Sequence, residues 1–469
     1  MQIFPRYRLY HLLFVVVCLF GCGAPAQTAR IAADLARKID GIAERELAVR
    51  GVPSASLAVV QNGQIVYLRA YGSARLDPQL AARPGMRYSI GSISKQFTAT
   101  AILILAEQGK LSLDDSVARF LPDLTRAKEV TIRQLLSHTS GYQDYWPQDY
   151  VPPFMLKPVT ANEVLNLWAR KPLDFDPGTK WQYSNTNFVI AGVIVEKASG
   201  LPFFRFIQAR LFAPLAMKSV INIDQEHLGD TDASGYMRYA LGPARIAPKE
   251  AKGWLFAAGE LAMTSEDLAK WDVALMNQVL LKPESYRQME KQTCLSNGIC
   301  TDYGLGVGVK EFLGHRAWSH GGEVSGFTAH NAVFPDDKAA VVVFINQDSG
   351  EASTAIGHAI APLLFAPQKQ NGTVDRDRMI LEGLQQGKIN RARFTDNANS
   401  YFDDQALQDF ALSLGPLGRV LSFVQTGQED RGGMTFHAYL VKFADKSVDV
   451  WVRDMPDGTI EQYQVMAAE

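Results

Sequence analysis

The sequence predicts an α+β protein: one antiparallel sheet flanked by helices, a helical subdomain beside it, and a small C-terminal α+β domain. Three observations carry that expectation. Strand pattern appears early, around Asn62-Gly63, and returns at 303–310 and 327–346. Helix-patterned chain fills most of the interval 95–290. Sheet at both ends with helices inserted between them points to a single sheet closed by distant strands, with a cleft where the inserted helices meet it. A polar stretch punctuated by Pro and Gly, 366–378, then reads as a linker to the tail.

The leader comes first. Arg6 and Arg8 precede "LLFVVVCLFG", which is too short to span a bilayer and suits the core of a secretory signal. Two processing readings stay open. "APA" at 24–26 offers small residues for cleavage ahead of Gln27, which makes 1–26 a signal peptide. "LFGC" at 19–22 resembles a bacterial lipobox, which makes 1–21 a lipoprotein signal, with Cys22 lipidated and anchored in a membrane. Either way the protein is expected to be exported, to the periplasm.

The body spans 30–365. Residues 30–50 alternate apolar and charged positions at helical spacing and stop at Gly51. "SASLAVVQNGQIVYLRAYG" reads as a hairpin turning at Asn62-Gly63. "SISKQFTATAILILAEQG" reads as a helix ending near Gly109. "AVVVFINQ" is a buried strand, and 351–365 a closing helix. The tail, 379–469, is helical to about 414; then "MTFHAYLVKF", "SVDVWVR" and "IEQYQVM" are strands. It holds no catalytic motif, so its expected role is structural or ligand-binding.

Composition excludes some classes. A chain of 469 residues with 47% hydrophobic and 20% charged residues is globular, and a formal net charge of -2 argues against nucleic acid as partner. In "CLSNGIC", Cys294 and Cys300 flank an Asn-Gly turn. In an oxidising compartment they read as a disulfide, with two buried thiols the plain alternative. Cys18 and Cys22 belong to the leader, so the body has no second cysteine pair, and there is no HExxH; neither a metal site nor a cofactor is expected.

The chemistry lies in three separated segments. Ser92 and Lys95 stand three apart at a helix start, where i and i+3 share a face and free N–H groups favour a developing oxyanion. A lysine in a cleft of low dielectric can lose its proton and serve as base to a serine nucleophile. Alone the pattern is weak, since Ser caps helices and Lys is commonly a solvated charge. "YSN" at 183–185 adds Tyr183, able to pass a proton to a leaving group, and Asn185, able to orient the lysine or the acyl chain. "SHGGEVSGF" at 319–327 adds His320 and two glycines, Gly321 and Gly322, that let a strand edge approach substrate and offer a backbone N–H. Each segment has a bland reading: a buried Tyr with a capping Asn, a Gly-rich turn with a core His. The three in this order fit a serine acylase template.

With these motifs the chain resembles the class C β-lactamase and low-molecular-weight penicillin-binding protein family of serine hydrolases, over about residues 30–365. "LLSHTSGYQDY", "LFAPLAMKS", "AAGELAMTSEDLAKW" and "YGLGVGV" strengthen the likeness. The resemblance implies a β-lactamase/transpeptidase-like fold, Ser92 as nucleophile, Lys95 and Tyr183 as proton carriers, and Asn185 as positioner. It also implies His320 in the third motif and an oxyanion hole from the backbone N–H groups of Ser92 and Glu323. One departure matters. The third motif in β-lactamases usually begins Lys-Thr-Gly, a fixed cation for a substrate carboxylate, whereas here it reads His-Gly-Gly. The expectation is therefore an exported hydrolase of small esters or D-amino acid peptides, with weak or no β-lactamase activity. A true β-lactamase or D-Ala-D-Ala carboxypeptidase is the first alternative, and a non-catalytic protein binding peptidoglycan fragments the second.

Other features read as decoys. "AWSHG" mimics a hydrolase elbow, but the long helical insert does not suit that fold. Glu163 reads as a helix-surface acid, Gly304, Gly306 and Gly308 lack dinucleotide spacing, and His138 reads as structural. The aromatic "YQDYWPQDYVPPF" either lines the cleft or packs on the subdomain.

Overall fold

The computed structural model describes residues 31–348, 350–365 and 372–468. Cys22 and both processing readings lie outside the described residues. Helix α1 (Ala33–Arg50) stops where Gly51 takes φ +64°. Strands β1 (Ser54–Gln61) and β2 (Gln64–Leu76) are joined by Asn62 and Gly63 at φ 53° and 71°, the left-handed pair a two-residue hairpin needs. A short β3 (Gln79–Ala81) follows. The rest of the sheet is far along the chain: β4 (Gly308–Phe312), β5 (His315–Val324), β6 (Phe327–Phe334) and β7 (Ala339–Ile345). Among the described residues these seven strands form one sheet in the order β3-β2-β1-β7-β6-β5-β4. The closing pair is β1 with β7, antiparallel, from Ala55 opposite Ile345 to Val60 opposite Ala340.

Both faces of the central strands are covered. Leu57, Val59, Val341 and Val343 pack with Ile39 and Leu47 of α1 and Ile356 and Ile360 of α6 (Ala352–Ile360). Their neighbours Ala58, Val60, Val342 and Phe344 face the larger core, which includes α2 (Ser94–Glu107) and α5 (Ser265–Met276). A strand buried on both faces loses its polar alternation, which is why "AVVVFI" is uniformly apolar. Helix α2 is buried at every position from Ser94 to Leu105. Its amphipathic pattern is correspondingly weak, as expected of a helix enclosed on all sides.

Helix α3 (Asn185–Ser199) is followed by a short α4 (Phe203–Ile207), and the interval before α3 is less helical than its sequence suggests. It holds short α-helical pieces, Ile132–Leu136 and Ala161–Val164, each started by a Thr-Gln or Thr-Glu capping box. Glu163 closes the second box, on the helix surface. Cys294 and Cys300 are disulfide-bonded. Among the described residues no single helix is long and apolar enough to cross a membrane.

The tail has its own core, with Leu381, Leu384, Tyr439, Val450 and Tyr463 at its centre. Its elements are α7 (Gly372–Leu384), α8 (Asp396–Tyr401), α9 (Asp404–Leu414) and the meander β8 (Ser422–Arg431), β9 (Met434–Lys442), β10 (Ser447–Asp454) and β11 (Ile460–Ala467). One expectation needs correction, and one strand went unread. The stretch 366–378 read as a linker is helix from Gly372 onward, because its charges are paired rather than solvated. Arg376 donates to both oxygens of Asp454 at 2.8 Å, and buried Asp377 accepts from the Tyr439 hydroxyl at 2.7 Å. Strand β8 escaped the sequence reading because its polar run "TGQEDR" shows no apolar alternation; pairing with β9 holds it.

Candidate active site

The site begins at a tight turn. Gly91–Ile93 forms one turn of 3-10 helix that runs into α2, with Gly91 at φ +50°. This places Ser92 at the mouth of a cavity of about 840 Å3. A side chain at Gly91 is barred twice, by φ and by space, since a Cβ there would lie 2.7 Å from the Glu323 nitrogen. The Ser92 turn and strand β5 therefore lie side by side, which brings the Glu323 N–H next to the nucleophile. Both Ser92 and Glu323 line the cavity.

Lys95, one residue into α2, is completely buried. Its amine has three oxygen partners: Ser92 Oγ at 2.9 Å, Asn185 Oδ1 at 2.8 Å and the Ala258 carbonyl at 2.8 Å. Burial lowers its pKa to about 7, against a smaller upward pull from Asp144. A carbonyl and a carboxamide oxygen can only accept. A neutral amine gives its two protons to them, and its lone pair then faces the Ser92 hydroxyl.

Tyr183 lines the same cavity as Ser92, and the centre of its ring lies 5.0 Å from the Lys95 amine, so serine, amine and phenol share one site. Burial holds the phenol far above its usual pKa, and Ser92 offsets this only in part. Tyr183 therefore stays protonated at neutral pH. Its segment is braced by His138, a buried residue at φ 58°. The His138 carbonyl accepts from Gln182 N at 3.0 Å, its Nδ1 accepts from Ser184 N at 3.2 Å, and its ring packs 4.3 Å from that of Tyr183. His138 is thus structural, as its sequence context suggests, and burial keeps it neutral.

Asn185 is the first residue of α3, whose N-cap Ser184 makes no capping bond with its side chain. The missing acceptor comes from another segment. Asp144 Oδ1 accepts from Asn185 N at 3.0 Å and from Trp146 N at 3.1 Å, and its Oδ2 accepts from Asn185 Nδ2 at 3.2 Å. The sequence reading placed Asp144 only within an aromatic loop. An Asp between Gln143 and Tyr145 carries no signal of this contact, and the Ala258 carbonyl, being backbone, carries none at all.

The third motif divides. Gly322 is the close approach: a Cβ there would sit 1.9 Å from the Ile90 carbonyl oxygen. Gly321 is not, since a Cβ there meets only Ala329 O, at 3.9 Å. The His320 side chain is not among the described residues lining the cavity. Its Nδ1 donates to the Gly321 carbonyl at 2.6 Å, so Nε2 carries the lone pair and accepts from the Tyr303 hydroxyl at 2.8 Å. Burial, helped by Lys95, lowers its pKa to about 4, so it is neutral at pH 7.

The cavity walls are aromatic and acidic. Tyr145, Trp146, Tyr150 and Tyr239 line it with Asp144, Asp149, Glu323 and Asp348, so the loop 142–154 does face the cleft. Arg238 is the cation among the described lining residues, held by Gln347 Oε1 at 3.0 Å and by the Gly51 carbonyl. Among the described residues no three His, Cys, Asp or Glu side chains gather as a metal site would need.

Comparison with known proteins gives the family and the fold. A family model described as Beta-lactamase matches residues 39–363. Penicillin-binding protein 4* of Bacillus subtilis (strain 168) is 28% identical over 326 residues, which cover 66% of this chain and 72% of that protein. Protein flp of Staphylococcus aureus (strain MW2) is 29% identical over 270 residues, 56% of this chain; the chain spans about half of flp's length, 53%. The solved D-amino acid amidase from Ochrobactrum anthropi SV3, complexed with D-phenylalanine, superposes with a TM-score of 0.63 at 25% identity, over 71% of this chain and 99% of the amidase.

Proposed function

The chain belongs to the Beta-lactamase family of serine hydrolases, and we propose that it cleaves esters and amides of apolar acyl groups through an acyl-enzyme on Ser92. The observation that carries this reading is the buried Lys95 amine, 2.9 Å from Ser92 Oγ, with two obligate acceptors on its other sides. Ser92 Oγ attacks the carbonyl and its proton passes to the Lys95 lone pair. The N–H groups of Ser92 and Glu323 receive the oxyanion. Tyr183 gives its proton to the departing amine or alkoxide and is recharged from the Lys95 ammonium. Water then attacks the ester, losing its proton to the same pair, and Ser92 leaves as the hydroxyl.

Substrate choice follows from the walls. A neutral His320 turned onto Tyr303 offers no fixed charge to a substrate carboxylate, and the described cavity lining holds four carboxylates and one arginine. The aromatic side chains suit an apolar acyl chain. The amidase neighbour supports amide substrates. A panel of p-nitrophenyl butyrate, D-phenylalanine amide, a D-Ala-D-Ala peptide and nitrocefin, run beside Ser92→Ala, tests this. The ester and the amide should exceed the two carboxylate-bearing substrates by about 100-fold in kcat/KM, the worth of one charged hydrogen bond. Nitrocefin turnover equal to that of the ester would overturn the substrate assignment.

Export and a lipid anchor at Cys22 complete the reading. The Cys294–Cys300 disulfide supports an oxidising compartment. Cys22→Ala should release the protein from the membrane pellet to the soluble periplasmic fraction. Wild-type protein found soluble from the start would leave cleavage ahead of Gln27 as the processing route.

A further inference from the structure

We propose that Asp144 is a positioning residue for the reaction: it fixes which end of the Asn185 carboxamide faces Lys95, and so leaves the lysine's third direction open to Ser92. The inference rests on the reading of Ser92 and Lys95 as nucleophile and base.

The argument starts from donor and acceptor types. A carboxamide has one accepting end and one donating end of nearly equal shape. A carboxylate can only accept. With Asp144 Oδ2 3.2 Å from Asn185 Nδ2, the amide's NH2 end is committed to Asp144 and its oxygen is turned to Lys95, 2.8 Å away. The reversed amide would aim an N–H at the amine. A neutral Lys95 would meet that N–H with its lone pair, the same lone pair that must take the Ser92 proton. The orientation of Asn185 therefore decides whether Lys95 is a base toward Ser92 or an acceptor from its own scaffold.

The geometry holds Asp144 firmly in this role. Its other oxygen takes two backbone N–H groups, Trp146 at 3.1 Å and Asn185 at 3.0 Å, one from its own loop and one from the first turn of α3. The carboxylate thus ties the loop, the helix start and the carboxamide together. It also adds a charge. The ionisable groups near Lys95 are Asp144, His138 and His320, with the centre of the Tyr183 ring 5.0 Å from the amine. Burial raises the Asp144 pKa, while the N–H groups of Trp146 and Asn185 and the nearby Lys95 favour its ionised form; with both histidines neutral and Tyr183 protonated, its carboxylate is the negative charge that supports the ammonium.

Asp144→Asn tests this in the full chain. The new amide can keep accepting both backbone N–H groups, but its NH2 end then opposes Asn185 Nδ2, and Asn185 must turn over. The kcat for p-nitrophenyl butyrate should fall about 100-fold with KM little changed, the scale of a disabled general base. The acid limb of the pH–rate profile should move to lower pH, because the charge that raised the Lys95 pKa is gone. The double variant with Asn185→Ala should be no worse than Asn185→Ala alone. If Asp144→Asn does not fold, Asp144→Ser, whose hydroxyl can still cap Trp146 N, carries the same readouts. An unmoved acid limb, additive losses in the double variant, or kcat retained within about twofold each overturn the assignment of Asp144. Activity that survives Ser92→Ala would instead overturn the reading beneath it.

Discussion

Lys95→Met should lower kcat/KM for p-nitrophenyl butyrate by about 1,000-fold, within the usual range for loss of a general base, and should leave a folded protein. Methionine fills a similar volume, and Lys95 sits in a site with no solvent exposure. The variant leaves the Ala258 carbonyl and Asn185 Oδ1 without a donor, at about 1–3 kcal/mol each. It also removes an amine whose burial already opposes its charge, and the two effects offset. The loss should therefore appear in chemistry, as slow labelling of Ser92 by a fluorophosphonate, while Ser92→Ala removes labelling altogether. In the wild type, kcat/KM should fall below about pH 7, where the amine becomes protonated and can no longer accept. The sign is that of a base whose pKa burial has lowered from the usual lysine value. His320, neutral down to about pH 4, cannot produce that limb, and neither can Tyr183, which stays protonated. A limb near pH 4, or Lys95→Met retaining a tenth of the rate, would remove Lys95 from the role of base.

How much of this was legible depended on where each interaction is encoded. Ser92 and Lys95 announce themselves because one helical turn sets their geometry. Tyr183 and Asn185 are readable as a local pair, yet which atom of Asn185 meets Lys95 depends on Asp144, 41 residues earlier. No spacing rule reaches across that gap. His320 shows the reverse case. Its place in the motif suggests contact with substrate, while the partners that decide its protonation and direction, Tyr303 and the Gly321 carbonyl, appear only when strand β5 is seen in place. The sheet core was legible because β7 is buried on both faces and uniformly apolar, while β1, which also carries Ser54 and Ser56, is marked by the Asn62-Gly63 turn that follows it. The start of α7 was not, because charges compensated in space, such as Arg376 on Asp454, look the same in sequence as charges meant for water.

Gly322→Ala should reduce kcat about 100-fold, as expected when one oxyanion donor is displaced, whereas Gly321→Ala should stay within about twofold of wild type. The two glycines are adjacent in one motif and chemically identical, so the contrast isolates geometry. At Gly322 the added methyl would lie 1.9 Å from the oxygen and 2.9 Å from the carbon of the Ile90 carbonyl. Those are backbone atoms two residues before the nucleophile, and they cannot step aside as a side chain does. Strand β5 must draw away from the Ile90–Ser92 turn and carry the Glu323 N–H with it. At Gly321 the methyl meets only Ala329 O, at ordinary contact distance, and the His320 bond to the Gly321 carbonyl is untouched. Thermal unfolding separates the effects: Gly322→Ala should also lower the Tm, so kcat is to be compared well below both transitions. KM should change little, because a donor aimed at the oxyanion contributes mainly in the transition state. Equal losses in the two variants would mean that the motif needs glycine for strand flexibility, and the close approach of β5 to the Ser92 turn would lose its claim to shape the oxyanion hole.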